Sequence, residues 1–352
     1  MNVIQVLDRP ASQSFYAVAG RLLFVQSLDL ELATLIERLF AGWQLTPVSF
    51  PDRNPDIKIT FERGDLPHVP AGLSEFEVAE GGRCYSVGDE YYLVLTNSLL
   101  HLKTEDTFTL GPQASRLQLA PASTTAAGRR DACGPRVSGH IWVSNTHDST
   151  HAELARVTSF AVCAALRRFG MFELHAAGVV MPETEAGVLI VGPSGSGKST
   201  LTSQLARAGW GYLSDDELLL SLNGEAVEAR GFRSFFALAP AGLPKAKGTL
   251  KTCFEPAGVF AAPRATSVAP KFLLFTAIGG GSETRCRELT QADTMSRLIR
   301  ACPWATYDTA IAGPNLALLS RLARKAKGFD LMAGTDLLEP DLASRIVSSV
   351  CR

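Results

Sequence analysis

A short glycine-rich segment constrains the fold of this chain more than any other feature. Residues 188–191 form an apolar, β-branched run that is typical of a buried strand. The next eight residues, Gly192-Pro-Ser-Gly-Ser-Gly-Lys-Ser199, match the pattern G-x-x-x-x-G-K-[ST], and a helical pattern continues to Gly209. In this order of strand, loop and helix, backbone amides and a helix N-terminus converge on phosphate oxygens. The segment therefore predicts an α/β domain with a phosphate-binding loop (P-loop, Walker A).

The predicted nucleotide-binding residues form this loop and open the following helix. They are Gly192, Pro193, Ser194, Gly195, Ser196, Gly197, Lys198, Ser199 and Thr200. Lys198 is expected to reach the β- and γ-phosphates, and the Ser199 hydroxyl suits a Mg²⁺ ion. We therefore expect a nucleotide that is bound together with Mg²⁺.

Two adjacent carboxylates follow the next predicted strand, residues 210–214. Asp215 and Asp216 would stand at the carboxyl end of this strand, which we expect to lie adjacent to the loop strand. One carboxylate would hold Mg²⁺, directly or through water, and the other would accept a proton from an attacking hydroxyl. Ser199 and Asp216 are the predicted metal ligands, with the division of roles between the two aspartates left open. The alternative is that Ser214 and Asp215 only cap a turn.

A histidine upstream of the loop is a further candidate. His175 falls on a predicted strand, residues 173–180, which a turn at residues 182–187 connects to the loop strand. Hairpin pairing would bring its side chain towards the γ-phosphate. The alternative is a core histidine whose hydrogen bonds are satisfied within the fold. The predicted catalytic residues are thus Asp215, Asp216, His175 and Lys198.

Composition and charge exclude several classes of function. Hydrophobic residues make up 46% of the chain and charged residues 20%, which suits a folded globular protein. The net charge of -1 argues against a nucleic-acid partner, which requires a strongly basic face. There is no secretory signal pattern, no apolar run of the ~20 residues that cross a bilayer, and no C-x-x-C pair among the seven cysteines. We expect a cytoplasmic protein with no membrane partner.

The sequence divides into two predicted domains. Residues 1–140 contain strand patterns at 14–27, 57–61 and 83–110 and one helix at 29–41, which predicts an α+β module that recognises the acceptor. The turn-rich residues 121–139 are typical of a linker. Residues 141–352 contain the glycine-rich loop and predict the catalytic domain, with a helix at about 150–168 and a closing edge strand at 328–334.

The chemistry-bearing residues, taken together, resemble a known family. His175, the loop at residues 192–199, Asp215-Asp216 and the run Glu228-Ala-Arg230-Gly231 look like the catalytic domain of HPr kinase/phosphorylase and its relatives, over roughly residues 150–345. That fold is related to phosphoenolpyruvate carboxykinase. The resemblance implies an α/β P-loop kinase domain of the HPr kinase and phosphoenolpyruvate carboxykinase type, with the α+β module before it.

The resemblance also implies an activity, which is ATP- and Mg²⁺-dependent phosphorylation of a serine hydroxyl. Lys198 and Ser199 would serve the nucleotide and the metal, the two aspartates would share the base and metal roles, and His175 would lie near the transferred group. Glu228 and Arg230 carry over from the family's Glu-x-Arg-Gly pattern. Relatives are commonly oligomeric, which implies a homo-oligomer.

The chain departs from the family in ways that bear on the acceptor. Thr200 stands where relatives often have an acidic residue, and the chain has no clear match to the family's downstream Pro-Arg-Pro-Gly-Arg segment. Candidate substitutes are Pro263-Arg264, Lys271 and the basic stretch at residues 245–251. The first 140 residues do not resemble the N-terminal domain of an HPr kinase. We therefore expect a peptide, protein or small-molecule hydroxyl acceptor other than HPr. The alternatives are a metabolite kinase of the same fold and a non-catalytic nucleotide-sensing binding protein.

Overall fold

A computed structural model describes most of the 352 residues. The described residues are 12–71, 73–78, 82–88, 90–104, 136–145, 151–238, 252–254, 256, 259–260, 263–302, 304 and 308–351. Residues 121–135 of the linker expected at 121–139 lie outside them, as do residue 150 at the start of an expected helix and the basic stretch at 245–251. The end of the expected linker is wrong, because residues 137–139 belong to a strand. The chain forms two compact units, Met1–Ala41 with Leu45–Phe169, and Gly42–Gln44 with Gly170–Arg352.

The first unit is built on one mixed sheet. Its strands are β1 (Ser12–Val18), β2 (Arg21–Ser27), β3 (Thr46–Pro47), β4 (Ile57–Arg63), β5 (Ser74–Val78), β6 (Gly82–Val87), β7 (Glu90–Val94), β8 (Ser98–Thr104) and β9 (Val137–Val143). They lie in the order β3-β1-β2-β4-β9-β8-β7-β6-β5. The pairs β2–β4 and β4–β9 are parallel, and the other neighbours are antiparallel.

Two helices belong to this unit, α1 (Leu30–Phe40) and α2 (His151–Arg167). The Asp29 carboxylate caps α1 by accepting a hydrogen bond from the Leu32 amide at 2.7 Å. Helix α1 turns Leu32, Ile36 and Phe40 into the core, which is the apolar spacing that predicts it from sequence.

Helix α2 extends the first unit beyond the boundary expected from the sequence. That boundary, between residues 140 and 141, falls inside β9, and α2 packs on β8 and β9. The reason lies in the helix itself, because it buries apolar residues such as Leu154 and Val157. Gly170, with φ of 75°, follows the end of the helix, as the sequence predicts.

The second unit contains a six-stranded sheet and two smaller ones. Its strands are β10 (Phe172–Leu174), β11 (Ala176–Val180), β12 (Gly187–Val191), β13 (Gly211–Ser214), β14 (Leu218–Asn223), β15 (Ala226–Gly231), β16 (Phe236–Leu238), β17 (Thr252–Phe254), β18 (Ser267–Val268), β19 (Pro270–Ile278), β20 (Arg285–Glu288) and β21 (Lys327–Ala333). The large sheet has the order β13-β11-β12-β19-β21-β20, a second has the order β10-β14-β15-β18, and β16 pairs with β17.

Helices cover both faces of the large sheet. They are α3 (Lys198–Arg207), α4 (Gln291–Ala301), α5 (Thr309–Lys325) and α6 (Pro340–Val350), with a 3₁₀ turn at Thr335–Leu338. One face packs Leu189 and Leu273 against α4 and α5, and the other packs Ile190 and Leu274 against α3 and α6. The chain is therefore a mixed α/β structure. No helix of the described residues is both long and apolar enough to cross a bilayer.

Two expectations about this sheet are wrong. Strand β13 is not adjacent to the loop strand β12, because β11 lies between them and pairs antiparallel with both. Strand β21 is not an edge strand, since β20 pairs antiparallel along its outer side. Neither difference separates the glycine-rich loop from the two aspartates, because β12 and β13 are parallel and their carboxyl ends lie on the same side of the sheet.

Candidate functional site

The glycine-rich loop, residues 192–197, joins the end of β12 to the start of α3. Gly195 and Gly197 have φ of 84° and 94°, the left-handed region that favours glycine. A Cβ atom at Gly192 would lie 2.5 Å from the Ser196 hydroxyl oxygen and 2.8 Å from the Thr276 carbonyl oxygen, so only glycine fits there. Gly197 is the N-cap of α3, and no side chain caps this helix. The first-turn amides of α3 and the positive end of its dipole therefore face the loop.

Lys198 is buried at the start of α3, and its ammonium group contacts the loop backbone and His175. Its Nζ donates to the carbonyl oxygens of Gly192 at 2.8 Å and Pro193 at 3.2 Å, and it lies 2.9 Å from His175 Nε2. An ammonium group can only donate hydrogen bonds. The Nε2 atom of His175 is therefore the acceptor, and the proton of the neutral imidazole is on Nδ1.

His175 connects this lysine to Asp216. Its Nδ1 lies 3.4 Å from Asp216 Oδ1, so the Nδ1 proton faces the carboxylate. The two side chains are 44% and 50% exposed, respectively, which contradicts the alternative of a core histidine. The contacts form a chain from Asp216 through His175 to Lys198, open to solvent at the end that carries the acid.

The antiparallel course of β11 explains the position of His175. The sequence predicts one strand over residues 173–180, but the chain changes sheets at His175, since β10 pairs with β14 and β11 pairs with β12 and β13. Because β11 runs opposite to its two neighbours, the residue that precedes it lies where those neighbours end. The hairpin to the loop strand is as the sequence predicts.

The two aspartates lie in different surroundings. Asp215 is 2% exposed and accepts a hydrogen bond from the Ala237 amide at 2.8 Å, a contact across 22 positions of the chain. Its carboxylate therefore does more than cap a local turn, which was the alternative interpretation. Asp216 is the acid that faces the open side of the site. The pair is not chemically equivalent.

The remaining loop residues divide by exposure. Pro193, Ser194, Gly195 and Thr200 are exposed, and Ser196 is buried. Ser199 is half-buried in the first turn of α3. Within the described residues, no group of three or more His, Cys, Asp and Glu side chains could hold a metal ion. The oxygen donors of Ser199 and Asp216 still suit Mg²⁺, which binds through one or two protein groups while phosphates and water complete its shell.

Glu228 and Arg230 form a pair of their own. Both lie on β15, and Arg230 Nη2 is 2.9 Å from Glu228 Oε2. Among the residues that the structure describes, neither contacts His175, Lys198 or Asp216. They remain a prediction from resemblance.

Two residues that support the site were missed from the sequence. The Thr276 hydroxyl lies 3.2 Å from that of Ser196, and its signal is a lone hydroxyl late in the apolar run of β19. Gln44 donates through Nε2 to the carbonyl oxygens of Leu213 at 2.8 Å and Arg233 at 3.0 Å, and so holds the end of β13 just before the aspartates. No local sequence pattern predicts this role of Gln44, because Leu213 and Arg233 are 169 and 189 positions away along the chain.

Comparison with known proteins adds one distant similarity. No family model matches the chain, and no curated protein matches it. Among solved structures, the chain is similar to the Hpr(Ser) kinase/phosphatase from Coxiella burnetii, with 13% sequence identity and a TM-score of 0.31 over 51% of this chain and 95% of that one. This degree of similarity does not establish the family.

Proposed function

We propose that the second unit is a kinase that binds ATP with Mg²⁺ and transfers the γ-phosphoryl group to a hydroxyl, a serine of a peptide or protein. The observation that carries this proposal is the contact chain of Asp216, His175 and Lys198 beside the glycine-rich loop. It places an ammonium group, an imidazole and an open carboxylate next to a helix N-terminus.

Phosphate binding is the part supported by the loop itself. The Lys198 ammonium donates to two neutral carbonyl oxygens, and phosphate oxygens are stronger acceptors because they are charged. The exposed backbone of Pro193, Ser194 and Gly195 leaves the loop accessible. Ser199 would hold Mg²⁺ together with phosphate oxygens and water, and the ion supplies neutralisation of the phosphate charge when it is bound.

Transfer requires an acceptor for one proton. The hydroxyl oxygen attacks the γ-phosphorus, the bond from that phosphorus to the β,γ-bridging oxygen breaks, ADP leaves, and the hydroxyl proton passes to a carboxylate. Asp216 is the open carboxylate, and the Nδ1 proton of His175 orients it. Asp215 holds the end of β13 through the Ala237 amide and acts as a positioning residue. The first unit would recognise the acceptor.

The test is transfer of label from [γ-³²P]ATP with Mg²⁺ to candidate acceptors. We expect label on a serine-containing peptide or protein with the wild type, and labelling at least about 100-fold slower with Lys198→Ala. Label on a small molecule instead would make the protein a metabolite kinase. Tight nucleotide binding without label on any acceptor would make it a nucleotide-sensing protein and would overturn the kinase proposal.

A further inference from the structure

A cleft lies at the end of the large sheet that is opposite the glycine-rich loop. It encloses about 880 Å³. Lys271 at the start of β19 and Lys327 at the start of β21 line it, as do residues of the turn between β11 and β12. The candidate kinase site is where β12 ends, and β12, β19 and β21 are parallel. The two sites are therefore separated by the length of the strands.

Positive charge is concentrated in this cleft. Lys271, Lys325, Lys327 and Arg345 line it, and Glu183 is the one acidic lining residue, so the formal sum over these groups is +3. The chain as a whole carries -1. A concave surface of one sign attracts ions of the opposite sign more strongly than the same charges dispersed over a convex surface.

Most of these cations lack a carboxylate partner. Lys271, Lys325 and Arg345 form no ion pair with any acid in the described part of the chain. Other cations of the same unit are paired, Arg233 with Glu217 at 3.0 Å and Arg297 with Asp330 at 2.9 Å. These three cations are therefore available to pair with anionic groups of a ligand.

The lining of the cleft also includes apolar side chains and hydroxyl groups. Met181, Phe272 and Cys351 supply the apolar surface, and Ser344 and Ser348 supply hydroxyls. Burial raises the pKa of the Cys351 thiol to about 12, so this residue stays neutral at physiological pH and adds no negative charge. A ligand that suits these walls has several anionic groups on an organic body.

We propose that this cleft is an anion-binding site, separate from the candidate kinase site, for a small organic molecule with two or more carboxylate or phosphate groups. Its volume lies in the range of ligand clefts, about 300–1,000 Å³. A long nucleic acid is disfavoured because its affinity depends on many phosphate contacts along an extended basic surface, and the chain carries a small net negative charge.

Citrate, titrated calorimetrically in Mg²⁺-free buffer, is the probe. We expect it to bind the wild type and Lys198→Ala equally, and to bind the double variant Lys271→Glu/Arg345→Glu at least tenfold more weakly. The matched control is Arg324→Glu/Arg300→Glu, two reversals at exposed positions that do not line the cleft, with an expected change of less than threefold. Lys271→Gln/Arg345→Gln, with a smaller loss, replaces the double reversal if that protein does not fold.

Three results would overturn the proposal. The first is the absence of citrate binding to the wild type. The second is loss of binding in Lys198→Ala, which would assign citrate to the glycine-rich loop. The third is an equal loss in the matched control, which would show dispersed charge attraction. Failure of phosphoryl transfer leaves each of these readouts unchanged, so this proposal and the kinase proposal fail separately.

Discussion

At the scale of single residues, Lys198 shows how a buried charge is accommodated beside an open site. Its three donors have three partners, so the ammonium group is fully hydrogen-bonded although it is only 5% exposed. Burying a charge without such partners would cost several kcal/mol. The same contacts fix the tautomer of His175 and hence what Asp216 faces.

Lys198→Ala removes the positive charge that would stabilise the transferring phosphoryl group. We expect the rate of transfer to fall by about 10²–10³-fold or more, because one preorganised charged donor typically contributes that much. The label-transfer assay measures it. Wild-type turnover in this variant would contradict the assignment of the loop.

Asp216→Asn tests the open carboxylate. We expect transfer to fall by about 10²–10⁴-fold while nucleotide binding in calorimetry is retained, because the amide cannot accept the hydroxyl proton. The melting temperature should stay close to that of the wild type, since Asp216 is half exposed. Unchanged turnover would remove this residue from the mechanism.

Asp215→Ala tests a positioning role. Removal of the buried carboxylate leaves the Ala237 amide without this acceptor, which we expect to lower the free energy of unfolding by about 1–3 kcal/mol. The control is Glu225→Ala, which removes an acid that is 90% exposed and pairs with Arg321, with an expected change of about 0–1 kcal/mol. Urea denaturation measures both. Equal effects would argue that Asp215 is not a structural anchor.

At the scale of elements, local patterns predict helices and loops well and strand neighbours poorly. The caps at Asp29 and Thr290 and the glycine at position 170 mark helix ends through contacts within a few residues. The position of β11 between β12 and β13, and of β20 beside β21, depends on pairing between distant segments. Periodicity within one strand carries no information about its partner.

Thr290→Ala tests the cap of α4. The Thr290 hydroxyl accepts from the Asp293 amide at 3.1 Å and donates to the Asp293 carboxylate at 2.8 Å. We expect the free energy of unfolding to fall by about 1 kcal/mol, the usual cost of losing an N-cap side chain. Ser296→Ala in the middle of the same helix is the control, with an expected change within about 0.5 kcal/mol, because the exposed hydrogen bond that it loses from Arg300 is offset by the helix propensity of alanine. Chemical denaturation that gives the reverse order would refute the cap.

At the scale of the whole molecule, the sequence predicts the α/β unit from one motif and the mixed β-rich unit from strand patterns. It places Lys198, His175 and Asp216 as candidates, and the structure brings these three together. It misses Gln44, because residues 42–44 belong to the second unit although the first unit surrounds them in sequence. The local composition of residues 42–44 does not indicate that this short segment belongs to a different unit from its neighbours in sequence.

Hydrogen exchange with and without ATP and Mg²⁺ tests the proposed division of labour over the whole chain. We expect slower exchange at residues 192–200, where amides would bind phosphate, and little change in β4, β8 and β9 of the first unit. Lys198→Ala should lose this protection. Protection confined to the first unit would contradict a nucleotide site at the loop.

The hairpin of β11 and β12 has a consequence for communication within the second unit. Its turn residues Met181 and Ala186 border the basic cleft, while its open ends lead to His175 and Gly192. Five residue pairs, from Ala176 with Val191 to Val180 with Gly187, join its two strands. The turn that borders the basic cleft and the residues that carry the glycine-rich loop and His175 are therefore opposite ends of one continuously paired hairpin.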